Sequence, residues 1–402
     1  MKLKSFRKIA TVGAGNAFNA LMGFIFLAVI AKSFDLITFG KYALLTTLLV
    51  SISKIIDFGT NSVFVSQINK EKEEDNISSF FSIKIILTIV SLVILSIALL
   101  LLKEFNWIIF LILCVGLFAY GINYTFFALF QKEEDYRSLV LLNILSSLPK
   151  GICALLIILN SFTPTLVSVL SIFSLSIMFS ILLFMSLSPK YRNIRINFKL
   201  IPVLFNKSFP GGVSQTVYES WPTLSNTIAK VTGGLSNVGV FSLASKISRL
   251  FALLSFSIFT VLLPKNTDRK KNNLSYDFNE TFIISSLVFL IATISIPFIH
   301  FGVNRFFGDK FSESLSIINI LIFSNAFTSI HTFMENYFFV EQKTRYLFII
   351  SLSKLVIFSL LCVFFVPVYS LAGLAGSDLA ASISAFLLTI LFIKKVDSVG
   401  KI

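Results

Sequence analysis

Stretches of about twenty apolar residues recur along this chain, and a stretch of that length constrains a backbone more tightly than any motif. In hydrocarbon each N–H and C=O must be bonded within its own segment, so such a run is a helix long enough to cross a bilayer. Twelve runs can be counted, at roughly 9–31, 39–67, 78–102, 106–130, 137–160, 164–187, 203–229, 237–264, 280–301, 314–339, 345–368 and 371–393. Only 13% of the residues are charged, against about a quarter in soluble domains. The expected fold class is therefore an all-α polytopic membrane protein with twelve transmembrane helices.

The net charge of +14 does not point to nucleic acid, because the basic residues lie in short tracts between apolar runs. With an even helix count both termini share one side. That side collects most of the Lys and Arg, while the other holds only Lys32, Lys41, Lys103, Lys230, Arg305 and Lys310. The bias predicts cytoplasmic termini. The apolar run that follows Lys2, Lys4, Arg7 and Lys8 has no short core with a small-residue cleavage site, so it reads as an uncleaved first helix. Cys114, Cys153 and Cys362 sit inside apolar runs without metal-like spacing and read as small hydrophobes. The basic stretch 188–202, SPKYRNIRINFKLIP, falls at the midpoint. It divides the chain into an N-terminal six-helix lobe at 1–187, a cytoplasmic linker, and a C-terminal six-helix lobe at 203–402. A faint repeat supports the division: Ala31-Lys32 before Phe39-Gly40-Lys41-Tyr42 is echoed by Ala229-Lys230 before Val238-Gly239-Val240-Phe241. Parallel repeats of this kind place a transport site between halves.

The least ordinary run is Ser236–Lys265, which carries Lys246 and Arg249 near its middle. At helical spacing Ser242, Ser245, Lys246, Arg249, Ser257 and Thr260 share one stripe. A central Lys or Arg costs roughly 2.5–3.5 kcal/mol on insertion scales, so these residues face a bundle interior or a wet cavity. Lys54, Lys150 and Lys354 occupy comparable depths, whereas Lys84 and Lys207 lie close enough to a helix end to snorkel toward headgroups. The second run aligns Thr47, Ser51, Lys54, Asp57 and Asn61, with Lys54 and Asp57 spaced to pair. The seventh aligns Ser208, Gln215, Glu219 and Asn226, with Pro210-Gly211-Gly212 and Pro222 as expected points of bending. Five midplane cations, Lys54, Lys150, Lys246, Arg249 and Lys354, thus stand against the two carboxylates Asp57 and Glu219. Leaving the excess in lipid would cost on the order of 10 kcal/mol. Something wet or anionic must meet them.

Several runs together resemble a polysaccharide flippase of the O-antigen transporter type (Wzx-like), within the multidrug/oligosaccharidyl-lipid/polysaccharide exporter superfamily, to which the MATE transporters also belong. They are FGKYALLTTLLVSISKIIDFGTNSVFV at 39–65, KSFPGGVSQTVYESWPTLSNTIAK at 207–230, VGVFSLASKISRLFALLSFSIFTVLLPK at 238–265, FGDKFSESLSIINILIFSN at 307–325 and VYSLAGLAGSDLAASISAFLL at 368–388. The resemblance implies a two-lobed, V-shaped fold in the bacterial inner membrane. It also implies alternating access that carries an undecaprenyl-pyrophosphate-linked glycan from the cytoplasmic to the periplasmic leaflet through a cationic central cavity.

On that reading Lys54, Lys150, Lys246, Arg249 and Lys354 are the substrate-binding candidates, because ammonium and guanidinium groups offset the lost hydration of a pyrophosphate. Tyr120, Tyr124 and Trp221 suit sugar faces. Asp57 and Glu219 are candidates for H⁺ or Na⁺ coupling or for an ion pair, and neither a cofactor nor a metal is expected. The implied partners are membrane lipids, a polysaccharide polymerase and chain-length proteins. A multidrug or cation antiporter of the same fold is the first alternative, but it would favour an acidic cavity. A membrane polymerase or glycosyltransferase is the second, but Asp35 stands alone in its loop and His300 and His331 have no nucleophile or metal-ligand partner at a useful spacing.

Overall fold

The computed structural model of the protein describes residues 3–66, 73–192, 196–249, 266, 269–270, 272, 276, 278–341, 343 and 345–399. Among the described residues the regular structure is entirely helical. The first half contains α1 (Leu3–Ser33), α2 (Leu36–Asp57), the short α3 (Thr60–Ser66), α4 (Glu73–Leu101), α5 (Trp107–Lys132) and α6 (Tyr136–Ile158). It continues with α7 (Leu166–Met178), extended by a tighter turn at Phe179–Ser186, and the single turn α8 (Pro189–Arg192). The second half contains α9 (Ile201–Ser248), α10 (Phe278–Phe307), α11 (Ser312–Met334), α12 (Asn336–Val340) and α13 (Arg345–Val399). Much of the expected helix at 237–264 lies outside the described residues, including Leu250, Leu254, Ser257, Phe259, Thr260 and the closing Lys265.

Eight helical stretches among the described residues are long and apolar enough to cross a membrane. Two of these, Phe278–Phe338 and Arg345–Val396, are longer than one crossing requires. The first contains the tight turn Gly308–Phe311, and the second leaves helical backbone angles at Ser370. α9 runs through Pro210–Gly212 and Pro222, the expected bending points, and departs from helical geometry at Gly233 and Gly234 instead. Proline inside a membrane helix is tolerated because neighbouring groups satisfy the freed carbonyl.

The surface is what a lipid solvent demands. Ile89, Val93, Leu100, Phe298, Phe301, Val363 and Phe364 are exposed, while Thr46, Thr47, Ser51, Ser53, Asp57 and Ser324 are buried. Helices in lipid gain little by hiding apolar groups and associate through close packing and polar contacts. The protein is a multi-pass membrane protein.

The chain groups into two compact units. The first comprises Met1–Asp35 and Tyr42–Thr223, and the second Leu36–Lys41 and Leu224–Ile402. This boundary falls inside α9, not in the basic 188–202 stretch. Part of that stretch is fastened to the first unit: the Tyr191 hydroxyl donates to Glu133 at 2.7 Å, Lys190 sits 2.8 Å from the same carboxylate, and the Asn197 amide donates to Asp75 at 2.9 Å. Beneath these contacts Phe64 and Phe80 stack at 4.0 Å beside Phe126, Phe130 and Leu139. The second unit is built around Tyr337, Phe338, Ile350 and Ala385.

Within the second unit the head of α2 meets α9 backbone to backbone. A Cβ on Gly40 would overlap the Leu235 carbonyl, and one on Gly239 would stand 2.6 Å from the Leu36 carbonyl oxygen. The glycines that the internal repeat aligns are thus the two that let these segments touch, with Phe39 packed edge-on against Phe311 beside them. Gly40→Ala and Gly239→Ala should each lower the unfolding midpoint in detergent, at a cost of about 1–3 kcal/mol from overpacking. Gly376→Ala, where a Cβ meets nothing within 4 Å, should be neutral or stabilising. A Gly40→Ala variant as stable as the parent would exclude the close crossing.

Candidate functional site

The polar stripes of α2 and α9 face each other in the first unit. α2 presents Ser51, Lys54 and Asp57, and α9 presents Thr223, Glu219 and Gln215 in the opposite direction. The Ser51 hydroxyl donates to the Glu219 carbonyl at 3.1 Å and lies 2.6 Å from the Thr223 hydroxyl. Lys54 Nζ is 3.2 Å from Glu219 Oε1, and the Gln215 amide donates to Asp57 Oδ2 at 3.3 Å. The register follows from helical spacing, since steps of three on one helix and four on the other keep each set on one face. Both spacings were readable in the sequence. The partner across the gap was not.

The expected pairing of Lys54 with Asp57 is therefore corrected. Asp57 ends α2, and its Oδ1 receives the Asn61 backbone N–H at 3.2 Å in the first turn of α3. Phe58 and Gly59 both have positive φ there, and a Cβ on Gly59 would stand 3.0 Å from the Gly212 nitrogen. A carboxylate turned to that helix start faces away from Lys54 and meets Lys84 instead, with Nζ 3.6 Å from Oδ1. Lys84, expected to snorkel toward headgroups, is 4% exposed and donates to the Ile56 carbonyl at 3.0 Å. The carbonyl freed by the break in α2 and the charge of Asp57 hold it inside. Lys207, its companion in that expectation, is exposed.

Lys54 also sits 5.2 Å from the centre of the Tyr124 ring, which stacks on Tyr120 at 5.5 Å and contacts the Ser53 hydroxyl at 3.1 Å. Lys150, one residue after Pro149 in α6, is buried with its ammonium 4.5 Å from the centre of the Phe173 ring. A cation over a ring face gains from the quadrupole without losing its charge.

The second unit gathers the other three candidates. Lys246 and Arg249 are one turn apart at the end of α9, near enough to repel, and Arg249 acts electrostatically on Lys354 of α13 as well. Among the described residues no carboxylate lies within 4 Å of Lys246 or Arg249. Lys354 feels Asp378 and Glu335 in addition, and its ammonium donates to the Thr328 hydroxyl at 3.1 Å. Asp378, 8% exposed, accepts from Ser324 at 2.8 Å, and Asn325 donates to Ser248 at 3.0 Å. His331 has partners that the sequence reading missed, Glu335 at 3.1 Å and Thr389 at 2.8 Å. The i,i+4 spacing of His331 and Glu335 was the available signal. No group of three His, Cys, Asp or Glu among the described residues could hold a metal ion.

A family model for polysaccharide biosynthesis proteins matches residues 5–266. No curated protein sequence matches the chain. Among solved structures, the lipid II flippase MurJ in an inward closed conformation superposes with a TM-score of 0.75 at 17% identity, covering 95% of this chain and 87% of that one. An inward-facing multidrug resistance MATE transporter of the MOP superfamily gives 0.73 at 15% identity, covering 94% and 96%. A MOP superfamily transporter from Pyrococcus furiosus, whose binding pocket of reverse polarity suggests a different function, gives 0.63 at 16% identity, covering 96% and 93%. At such identities the likeness establishes the fold, which is the MATE- and MurJ-like one.

The buried pair of Lys84 and Asp57 makes the clearest energetic test. Lys84→Met leaves a carboxylate without its cation and should cost about 3–5 kcal/mol in unfolding free energy. Adding Asp57→Asn, which keeps the hydrogen-bonding shape without the charge, should recover most of that loss. Additive destabilisation in the double variant would show that the two groups do not act as a pair.

Proposed function

The chain belongs to the polysaccharide biosynthesis protein family, and from that premise we propose that it is a flippase for an undecaprenyl-pyrophosphate-linked oligosaccharide, an O-antigen or related repeat unit. It carries this lipid from the cytoplasmic to the periplasmic leaflet of the bacterial inner membrane. Twelve helices in two lobes cross the membrane, both termini are cytoplasmic, and access alternates between the two sides. The observation that carries the reading is the like-charged cluster of Lys246, Arg249 and Lys354 in the second unit.

A pyrophosphate diester carries about two negative charges and cannot enter hydrocarbon without partners. Two adjacent cations, with no carboxylate within 4 Å among the described residues, supply them, and their mutual repulsion is relieved when the anion arrives. Lys54 and Lys150 are the cationic candidates of the first unit. Lys54 is held by Glu219 and Tyr124, so an anion that engages it must compete with a built-in carboxylate. The prenyl tail stays in lipid, while Tyr120 and Tyr124 offer stacked ring faces to sugars. A polysaccharide polymerase and chain-length proteins are the proposed downstream partners.

Lys246→Ala and Arg249→Ala should each abolish surface display of the glycan at unchanged protein abundance, while Lys246→Arg retains display. Normal display in both alanine variants would remove the anion site from α9. The substrate itself is identified by deleting the gene and analysing which lipid-linked glycan accumulates on the cytoplasmic leaflet. Coupling is tested at Glu219 by glycan-lipid transport in proteoliposomes with and without an imposed pH gradient. Glu219→Gln should lose the response to the gradient, and an unchanged response would exclude that carboxylate.

A further inference from the structure

The second unit contains an unbroken line of hydrogen-bonding groups between a partly buried ammonium and a buried carboxylate. Lys354 Nζ lies 3.1 Å from Thr328 Oγ1, Thr328 Oγ1 is 3.0 Å from Ser382 Oγ, Ser382 Oγ is 3.0 Å from Ser324 Oγ, and Ser324 Oγ is 2.8 Å from Asp378 Oδ2. Ser324 and Ser382 are each 1% exposed and Asp378 8%, whereas Lys354 is only partly buried. The line therefore has a deep end and a more accessible one.

A hydroxyl has one proton to give, and this sets the direction of every bond in the line. Ser324 spends its proton on the carboxylate, so it must accept from Ser382. Ser382 must then accept from Thr328, and Thr328 from the ammonium. All three hydroxyls point the same way, from the ammonium toward the carboxylate. That is the arrangement in which a proton can enter at Lys354 and leave at Asp378 by successive hops: each O–H bond breaks as the next forms.

We propose that Asp378 is a proton-binding site reached from Lys354 through Thr328, Ser382 and Ser324, and that its loading sets the charge of the anion-binding cluster. Passing the ammonium's own proton along the line gives a neutral amine and a neutral carboxylic acid. Taking a further proton from water restores the ammonium. The sum is one H⁺ bound, which changes the Lys354–Asp378 pair from zero net charge to +1. Anion binding at Lys354, Arg249 and Lys246 is favoured in the loaded state, and loss of the proton weakens it. The other titratable groups that act on the two ends are Arg249 and Glu335 at Lys354 and the Cys362 thiol at Asp378. Glu335 is engaged by His331. The coupling to anions rests on the function proposed above, but the proton site does not.

Difference infrared spectroscopy of the purified full-length protein across a pH titration should show a carboxylic-acid C=O band that disappears as pH rises. That band should be lost in Asp378→Asn. Ser324→Ala, which keeps Asp378 but removes its hydroxyl partner, should shift the band, and Thr328→Val should slow its appearance after a pH jump. Absence of the band in the parent protein, or its persistence in Asp378→Asn, overturns the proposal. With inorganic pyrophosphate as probe, affinity should fall by up to about tenfold for each pH unit above the site's midpoint. Asp378→Asn, a permanent mimic of the loaded state, should abolish that dependence. Pyrophosphate binding that is equally pH-dependent in Asp378→Asn overturns the coupling. Failure of pyrophosphate to bind, with the Asp378 band intact, refutes the anion-site reading of Lys354 and leaves the proton site standing.

Discussion

Charges held away from water must find each other or find a ligand, and in the first unit two lysines of the helices find carboxylates. Lys54 meets Glu219 at 3.2 Å and Lys84 meets Asp57 at 3.6 Å. Each group alone would be expensive in a low-dielectric interior, so the pairs fasten α2 to α4 and to the first part of α9. The neighbouring contacts through Ser51, Thr223 and Gln215 keep the same register. The break at Phe58–Gly59 also belongs to this arrangement, since it frees the Ile56 carbonyl for Lys84 and turns Asp57 toward Asn61.

The second unit handles charge differently. Lys246 and Arg249 are close enough to repel, and two of the carboxylates of this unit have other partners. Asp378 is bonded to Ser324, and Glu335 is bonded to His331. Adjacent cations with no carboxylate within 4 Å among the described residues invite an anion, whereas cations bound to carboxylates, as Lys54 and Lys84 are, resist it. On the function proposed above, that asymmetry makes α9 and α13 the binding elements and α2 a structural one. It also explains why the buried hydroxyls of α11 and α13 matter: they are the groups that can transmit the state of Asp378 to the cationic end.

Much of this was legible in the residues. The crossing helices, the polar stripes at 47–61 and 208–226, and the cationic character of 236–249 follow from periodicity and from the cost of charge in hydrocarbon. The glycines at 40 and 239 were visible as a repeat, though not as a contact. The pairing of Lys84 with Asp57 could not be seen, because they are on different helices and nothing local links them. A lysine near a helix end reads as a snorkelling residue until a neighbouring helix supplies a carboxylate and a free carbonyl.

Residue order alone requires an all-helical, multi-pass protein with more cations than carboxylates near the middle of its apolar runs, because helix length and side-chain hydration energies act locally and one residue at a time. Only the tertiary structure decided which charges cancel. Pairing depends on distances of 3–4 Å between helices far apart in the chain, and a period of 3.6 residues specifies a face but not what lies opposite it. The line from Lys354 to Asp378 is the clearest case. Its five side chains come from three separate segments, around 324–328, at 354 and at 378–382, and only Lys354 stands out alone; together they join an ammonium to a carboxylate because α11 packs against both parts of α13.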